Sequence, residues 1–88
     1  MEKRIGTISI LISDRQVADE INRILSEHAD IILCRQGLPF RDRSVAVISL
    51  IVEGLADRIN ALTGRVGRMQ GVECKAVMAK ELGVRIRD

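Results

Sequence analysis

Arginines beside two predicted turns are the residues of this sequence best suited to bind a ligand. Arg15 stands in the turn after the first predicted strand, where a helix N-terminus offers free backbone N–H groups and a positive dipole end to an anion. Three more arginines flank a second predicted turn, and a guanidinium forms paired hydrogen bonds with carboxylates and phosphates. The candidate site for a small anionic ligand comprises Ser13, Asp14, Arg15, Arg35, Arg41 and Arg43.

The same arginines also fit ordinary surface charge, which keeps small domains soluble, and this alternative stays open. Asp14 adds a negative charge that competes with a bound anion unless its carboxylate caps the helix or pairs with an arginine. If a ligand binds, Arg15 and Arg35 are expected to contact it directly, with Arg35 reaching the loop of another subunit.

Catalysis is not indicated by the remaining polar residues. Ser13, Asp14 and His28 form no recognisable arrangement of nucleophile and base, and Ser13 is better explained as a helix N-cap. His28, Cys34 and Cys74 lack the paired spacing typical of zinc ligands, so we expect no bound metal and two cysteines that act as small core residues. No cofactor is indicated. A metal sensor built from His28 and Cys34 remains an alternative.

Composition and length favour a small cytoplasmic domain. The 88 residues include 14 Lys+Arg and 12 Asp+Glu, interspersed, and one aromatic residue, Phe40, so the basic face and stacking rings of nucleic-acid binders are missing. No stretch has the pattern of a membrane span or signal peptide, and the two cysteines form no disulfide framework. We expect one domain over 1–88, with a core at about 4–78 and a charged tail at 79–88.

The elements that must position these residues are organised around the stretch 44–52. Valine and isoleucine dominate it and both alternating faces are largely apolar, which is typical of a strand in the middle of a sheet. The other predicted strands are 4–13, 31–36 and 72–78, the second interrupted by Gly37 and Pro39. Two helices with apolar stripes are also predicted. The stripes are Val17, Ile21, Ile24, Leu25 and His28, and Leu55, Ile59, Leu62, Val66 and Met69.

An internal repeat predicts how these elements connect. Residues 8–12 (ISILI) match 48–52 (ISLIV), and residues 18–22 (ADEIN) match 56–60 (ADRIN). Two strand–helix–strand halves give the order βαββαβ, an α+β ferredoxin-like sandwich with a four-stranded antiparallel sheet and two helices on one face. Right-handed crossovers place the first and third strands at the centre of the sheet.

The repeat also predicts which face the helices leave uncovered. Matching positions share a face, so apolar residues at 8, 10 and 12 lie beneath the helices with those at 48, 50 and 52. An uncovered apolar face usually marks an interface, so we expect a homo-oligomer, a dimer or tetramer, formed through this face or at a sheet edge. A different protein covering the face is the alternative. The predicted interface residues are Thr7, Ser9, Leu11, Val45, Val47, Ser49 and Ile51.

Four segments resemble a known family. They are Gly37-Leu-Pro-Phe40, Ile48-Ser-Leu-Ile-Val52, Asp57-Arg-Ile-Asn-Ala-Leu-Thr-Gly64 and Gly71-Val72. Together they are similar to the iron-only hydrogenase system regulator family over about 4–76, and 57–64 is the most specific part. The resemblance implies an ACT-like form of the ferredoxin-like fold and assembly into oligomers. It further implies a role as a transcriptional regulator associated with hydrogenase maturation. It also implies a relation to the effector domain of the nickel-responsive repressor.

Two departures from that repressor limit what the resemblance implies. The repressor holds its metal with several histidines and a cysteine, whereas this sequence has only His28, so nickel binding is not carried over. Its separate ribbon-helix-helix domain has no counterpart in this sequence, so direct DNA binding is not expected.

Taken together, the sequence predicts a small ligand-responsive regulatory module associated with the iron-only hydrogenase system, and no enzyme. ACT-like modules place effectors where the loop after the first strand meets a neighbouring subunit, and here that loop is 13–15. We therefore expect an anionic effector at a subunit interface. The alternatives are an oligomeric interaction scaffold without a small-molecule ligand and the metal sensor described above.

Overall fold

A computed structural model describes residues 3–79 of the chain. Its elements follow the predicted order βαββαβ, an α+β fold of ferredoxin-like arrangement. The strands are β1 (Arg4–Ile12), β2 (Ile32–Phe40), β3 (Val45–Gly54) and β4 (Val72–Met78), and the helices are α1 (Ala18–Glu27) and α2 (Ala56–Gly67). Short 3₁₀ turns at Arg15–Val17 and Ala29–Ile31 precede and follow α1.

Strands β1 and β3 form the centre of the sheet, as the sequence repeat predicts. The strand order is β2-β3-β1-β4, and every neighbouring pair is antiparallel. The register pairs Ile8 with Leu50 and Ile10 with Ile48, so the two copies of the repeated strand lie side by side.

The core lies between the sheet and the two helices. Apart from Ile31 in the 3₁₀ turn after α1, its residues come from alternate positions of β1 and β3 and from the predicted helix stripes, so the predicted helix-covered face is confirmed. Each fully buried aliphatic side chain stabilises the fold by about 1.5–3 kcal/mol. Val17 and Met69, at the ends of the stripes, are only partly buried. The side chains with least exposure are Ile8, Ile10, Ile21, Leu25, Leu50, Val52, Ile59, Leu62 and Val66.

The second strand is longer than the sequence suggested. It continues through Gly37 and Pro39 to Phe40, so the predicted interruption there is wrong. Pro39 is tolerated because β2 is an edge strand, where a residue without an N–H group can leave the ladder intact. The two strands of the β2–β3 hairpin therefore remain paired further than expected, up to the turn at 41–44.

A bulge near the start of β2 changes the faces of the residues that follow. Residues 32 and 34 pair with the adjacent β3 residues Val52 and Ile51, which leaves Leu33 without a partner. Since strand side chains alternate, one extra residue moves each later side chain to the opposite face. Cys34 consequently shares the face of its partner Ile51, and Arg35 shares the helix-covered face.

The first helix begins differently from the prediction. Asp14, and not Ser13, is a capping residue, and it caps the 3₁₀ turn at Arg15–Val17: its Oδ1 accepts a hydrogen bond from the backbone N–H of Gln16 at 2.9 Å. Ser13 instead donates its hydroxyl to the Gly71 carbonyl at 3.0 Å and its backbone N–H to the same oxygen at 2.8 Å. A 3₁₀ turn follows, and α1 starts only at Ala18.

The second helix runs unbroken through Gly64 and Gly67, two residues with low helix propensity. A Cβ on Gly67 would lie 3.6 Å from the Cβ of Cys74, so the helix passes close to β4 at this point. The helix therefore packs closely against β4 and does not end at Thr63.

Ion pairs link the two helical segments on the side away from the sheet. The Arg65 Nη1 lies 2.9 Å from the Glu27 Oε1, and the Arg58 guanidinium makes a bidentate contact with the Asp30 carboxylate. These hydrogen bonds lower the pKa of Glu27 and of Asp30 below their ordinary values. A carboxyl group whose pKa is lower in the folded than in the unfolded protein stabilises the folded state at pH values above its pKa in the unfolded protein. The stabilisation from Glu27 and Asp30 is therefore present at neutral pH, and it is lost as the pH falls through their pKa values in the folded protein.

Gly71 closes the turn between α2 and β4 in a conformation suited to glycine. Its φ is +77°, and a Cβ there would lie 2.8 Å from the Cβ of Asp14. Gly71→Ala is therefore expected to lower the free energy of unfolding by about 1–3 kcal/mol, measured by urea titration. Gly37→Ala is the matched control, because a Cβ there meets nothing within 4 Å. An equal effect of the two substitutions would contradict the expected strain.

Beyond β4 the described chain is short. Of the predicted tail at 79–88, the structure describes only Ala79, whose backbone N–H donates to the Ile5 carbonyl at 2.9 Å. The remainder, 80–88, lies outside the described residues. Within 3–79, no helix is long and apolar enough to cross a membrane.

Candidate functional site

The sheet face opposite the helices carries all seven predicted interface residues. The register places Thr7 against Ile51, Ser9 against Ser49 and Leu11 against Val47. We call this surface the open sheet face. Its members are Ile5, Thr7, Ser9 and Leu11 in β1, Cys34, Gln36, Leu38 and Phe40 in β2, Val45, Val47, Ser49, Ile51 and Glu53 in β3, and Glu73, Lys75 and Val77 in β4.

Large apolar side chains on the open sheet face are well exposed. Leu11 and Ile51, on its two central strands, are each 42% exposed, and Val77 on β4 is 71% exposed. Leu38 and Phe40 extend the apolar surface across β2. These last two were not predicted from the sequence, because the second strand was expected to end before them.

Two arginines of the candidate set line one cavity at the end of the sheet. This cavity of about 370 Å³ lies between the turn after β1 and the β2–β3 hairpin, and we call it the arginine cavity. Arg15 and Arg41 line it, with Ser44 as a further polar residue. The apolar part of its lining consists of Ile12, Ala18, Pro39, Phe40, Val45 and Ala46.

The other two arginines lie elsewhere. Arg35, on the helix side of β2, donates a hydrogen bond to the Asn22 side chain in α1 and lines a separate small cavity beside Leu25. Arg43 lies in the hairpin turn, where its backbone N–H donates to the Phe40 carbonyl at 3.2 Å. The structure thus brings Arg15 together with Arg41, and not with Arg35, within one protomer.

Ser13 and Asp14 do not line the arginine cavity. The Asp14 carboxylate accepts a hydrogen bond from the Gln16 backbone N–H in the turn before α1, so it occupies the position that was predicted for a bound anion. Ser13 lines a neighbouring cavity of about 450 Å³ that borders the open sheet face near Leu11 and Val45. A ligand site at this end of the sheet consequently depends on arginine side chains and not on a helix N-terminus.

The soft metal ligands are apart from one another. Cys34 is exposed on the open sheet face, so its prediction as a core residue is wrong. Cys74 is half-buried beneath the helices, and burial raises the pKa of its thiol. The His28 Nδ1 lies 2.8 Å from the Ile24 carbonyl at the end of α1, where the sequence placed it. Among residues 3–79, no three His, Cys, Asp or Glu side chains are placed to share a metal ion.

Comparison with known proteins relates the whole fold to solved structures. The structure of TM1266 from Thermotoga maritima, an uncharacterized protein, is 32% identical with a TM-score of 0.85, over 90% of this chain and 100% of that chain. An unknown protein from Galdieria sulphuraria is 14% identical with a TM-score of 0.62, over 94% of this chain and 49% of that chain, so the likeness concerns the fold alone. No curated protein matches the chain.

A family model also matches the sequence directly. The model is described as "TM1266-like: Iron-only hydrogenase system regulator, putative", and it matches residues 4–76. The match extends from the first residue of β1 into β4, so it includes both halves of the repeat and every residue of the open sheet face except Val77. With the agreement in fold and the identity to TM1266, the chain belongs to the TM1266-like family of iron-only hydrogenase system regulators.

Proposed function

We propose that this chain is a small, non-catalytic regulatory module that self-associates through the open sheet face and binds a small anionic effector in the arginine cavity. One observation carries the proposal: Arg15 and Arg41 line a cavity that adjoins the open sheet face. The family supports a regulatory role in the iron-only hydrogenase system. The geometry supports a ligand site at the border of an intersubunit contact.

The charges of the arginine cavity favour an anion. Within residues 3–79, neither Arg15 nor Arg41 makes an ion pair, whereas Arg23, Arg58 and Arg65 do. Two guanidinium groups without a carboxylate partner favour an anionic ligand, to which each can donate paired hydrogen bonds. The cavity volume of about 370 Å³ is within the range of small-molecule sites.

A second copy of the chain is the partner that best fits the open sheet face. Its two central strands combine exposed Leu11 and Ile51 with the polar residues Ser9 and Ser49, a mixture typical of interfaces. On β4, Glu73 and Lys75 lie on this face at the same edge. Because a twofold contact presents the same surface from both sides, two copies can place these opposite charges against each other.

The two proposed sites share residues. Phe40 and Val45 belong to the open sheet face, where they pair across β2 and β3, and both also line the arginine cavity. A ligand that contacts these side chains therefore changes the surface offered to the second subunit. Binding and association are then coupled, and the coupling acts equally in both directions.

Arg15→Ala and Arg41→Ala are each expected to weaken anion binding about tenfold or more, because a hydrogen bond to a charged group contributes about 1.5–3 kcal/mol. Thermal-shift screening with 4-methylpentanoate, inorganic phosphate, AMP and divalent metal ions identifies a binding compound. Isothermal titration of that compound then compares the wild type with both variants.

Arg23→Ala is the matched control, since Arg23 pairs with Glu20 and Glu27 on the exposed side of α1, away from the cavity. Its affinity is expected to equal that of the wild type. Unchanged affinity in both cavity variants, with the fold intact by circular dichroism, would contradict the proposed site. A response to no anion would support an interaction scaffold, and a response to metal ions alone would support a metal sensor.

A further inference from the structure

The lining of the arginine cavity carries information about the chemical class of its ligand. Six of its residues are apolar and three are polar, namely Arg15, Arg41 and Ser44. We infer that the cavity takes a small monocarboxylic acid with a compact apolar body and no ammonium group. This inference rests on the proposed function, because it specifies the ligand of the same site.

The apolar lining selects a ligand with an apolar body. Phe40 and Pro39 offer flat apolar surface on the hairpin side, and Ile12 lies opposite on the end of β1. Ala18 and Ala46 are small, so they leave room between these larger side chains. An apolar group of about four or five carbons gains free energy by leaving water for such a surface.

The same lining disfavours phosphate esters and nucleotides. Their hydroxyl, base and phosphate groups need many hydrogen-bond partners when they leave water. Besides the two guanidinium groups, the Ser44 hydroxyl is the only polar side chain that the described part of the chain offers to the cavity. A carboxylate has two oxygens, and the fork of one guanidinium matches both of them.

The charges around the cavity disfavour an ammonium group. Among residues 3–79, no acidic side chain lines it, and the two acidic residues next to its arginines in sequence, Asp14 and Asp42, are not among its lining residues. The Asp14 carboxylate is held by the Gln16 backbone N–H. An α-amino acid would therefore bring its positive charge close to Arg15 and Arg41 without a carboxylate to balance it.

A matched pair of ligands tests this inference in the wild-type protein. Leucine and 4-methylpentanoate have the same carbon skeleton and carboxylate, and they differ only in the ammonium group. Isothermal titration is expected to show 4-methylpentanoate binding at least about tenfold more tightly than leucine, and about tenfold more tightly than acetate, which lacks the apolar body. Loss of 4-methylpentanoate binding in Arg41→Ala would place the ligand in the arginine cavity.

Ala46→Leu separates the apolar contact from the charge contact. The larger side chain is expected to fill part of the cavity and weaken 4-methylpentanoate about tenfold, while acetate binding stays within about twofold. Circular dichroism checks that the variant is folded, and the ligand pair in the wild type decides the question if it is not.

The outcomes distinguish this inference from the proposed function. Leucine binding as tightly as 4-methylpentanoate, or phosphate or AMP binding more tightly than either, would overturn the ligand class. If the binding of leucine, phosphate or AMP is in that case lost in Arg15→Ala and Arg41→Ala, the proposed anion site stands. If neither acid, nor phosphate, nor AMP binds, both the ligand class and the proposed site are overturned.

Discussion

Ile59→Asp is expected to leave the domain largely unfolded at room temperature. Ile59 is fully buried between α2 and the sheet, so the substitution removes a core side chain and places a carboxylate where no partner exists among its core neighbours. Loss of a buried isoleucine costs about 2–5 kcal/mol, and an uncompensated buried charge costs more, whereas a small domain has only about 5–15 kcal/mol of stability. Far-UV circular dichroism and thermal melting measure the effect.

Asn60→Asp provides the matched control for this prediction. Asn60 is the next residue of α2 and is exposed, so the new carboxylate remains in water. Its melting temperature is expected to stay within a few degrees of the wild type. A cooperative transition at the wild-type temperature for Ile59→Asp would show that the core described here is wrong.

Leu11→Lys is expected to weaken self-association at least about 30-fold while the monomer stays folded. Leu11 is exposed on a central strand of the open sheet face, so the proposed contact buries it. Desolvating a lysine there costs about 2 kcal/mol or more, which corresponds to roughly 30-fold in the dissociation constant. Within the monomer, Glu73 lies directly across the strand pair and can balance the new charge. Light scattering over a concentration series measures the association.

Ala61→Lys is the control for that change, because Ala61 is exposed on α2, on the opposite side of the sheet. It adds the same charge and is expected to leave association unchanged. If Leu11→Lys associates as strongly as Ala61→Lys, the open sheet face is not the contact surface, and pairing at a sheet edge becomes the explanation for any oligomer.

The fold was predictable because the sequence contains two similar copies of its strand–helix unit. The repeat of 8–12 at 48–52 fixed which strands are equivalent, and the alternation within each strand fixed which side chains face the helices. The helix stripes led to the same core, since Ile21, Ile59 and Val66 are all buried. Patterns of this kind survive local irregularities, because many residues contribute to each of them.

The errors come from local features that single residues control. One bulge residue, Leu33, explains why Cys34 lies on the open sheet face and not in the core, and it also places Arg35 on the helix side. Without the bulge, simple alternation from Ile32 would place Cys34 in the core and Arg35 on the opposite face. Nothing in the residue types around position 33 signals such an insertion.

The candidate site was predictable in part. Its location at the end of the sheet followed from arginines near two turns, and Arg15 and Arg41 do line one cavity there. The apolar half of the cavity was missed, because Pro39 and Phe40 were assigned to a turn. Their position in an edge strand depends on pairing with Ala46 and Val45 across β2 and β3, a tertiary contact that composition cannot reveal.

Sedimentation velocity of the wild-type chain at micromolar concentration measures the proposed self-association, which the regulatory role and the coupling through Phe40 and Val45 both require. We expect a species of at least dimer mass, and a loss of this species in Leu11→Lys but not in Ala61→Lys. A wild-type chain that stays folded, in solution and at monomer mass over the whole concentration range would contradict the proposed self-association.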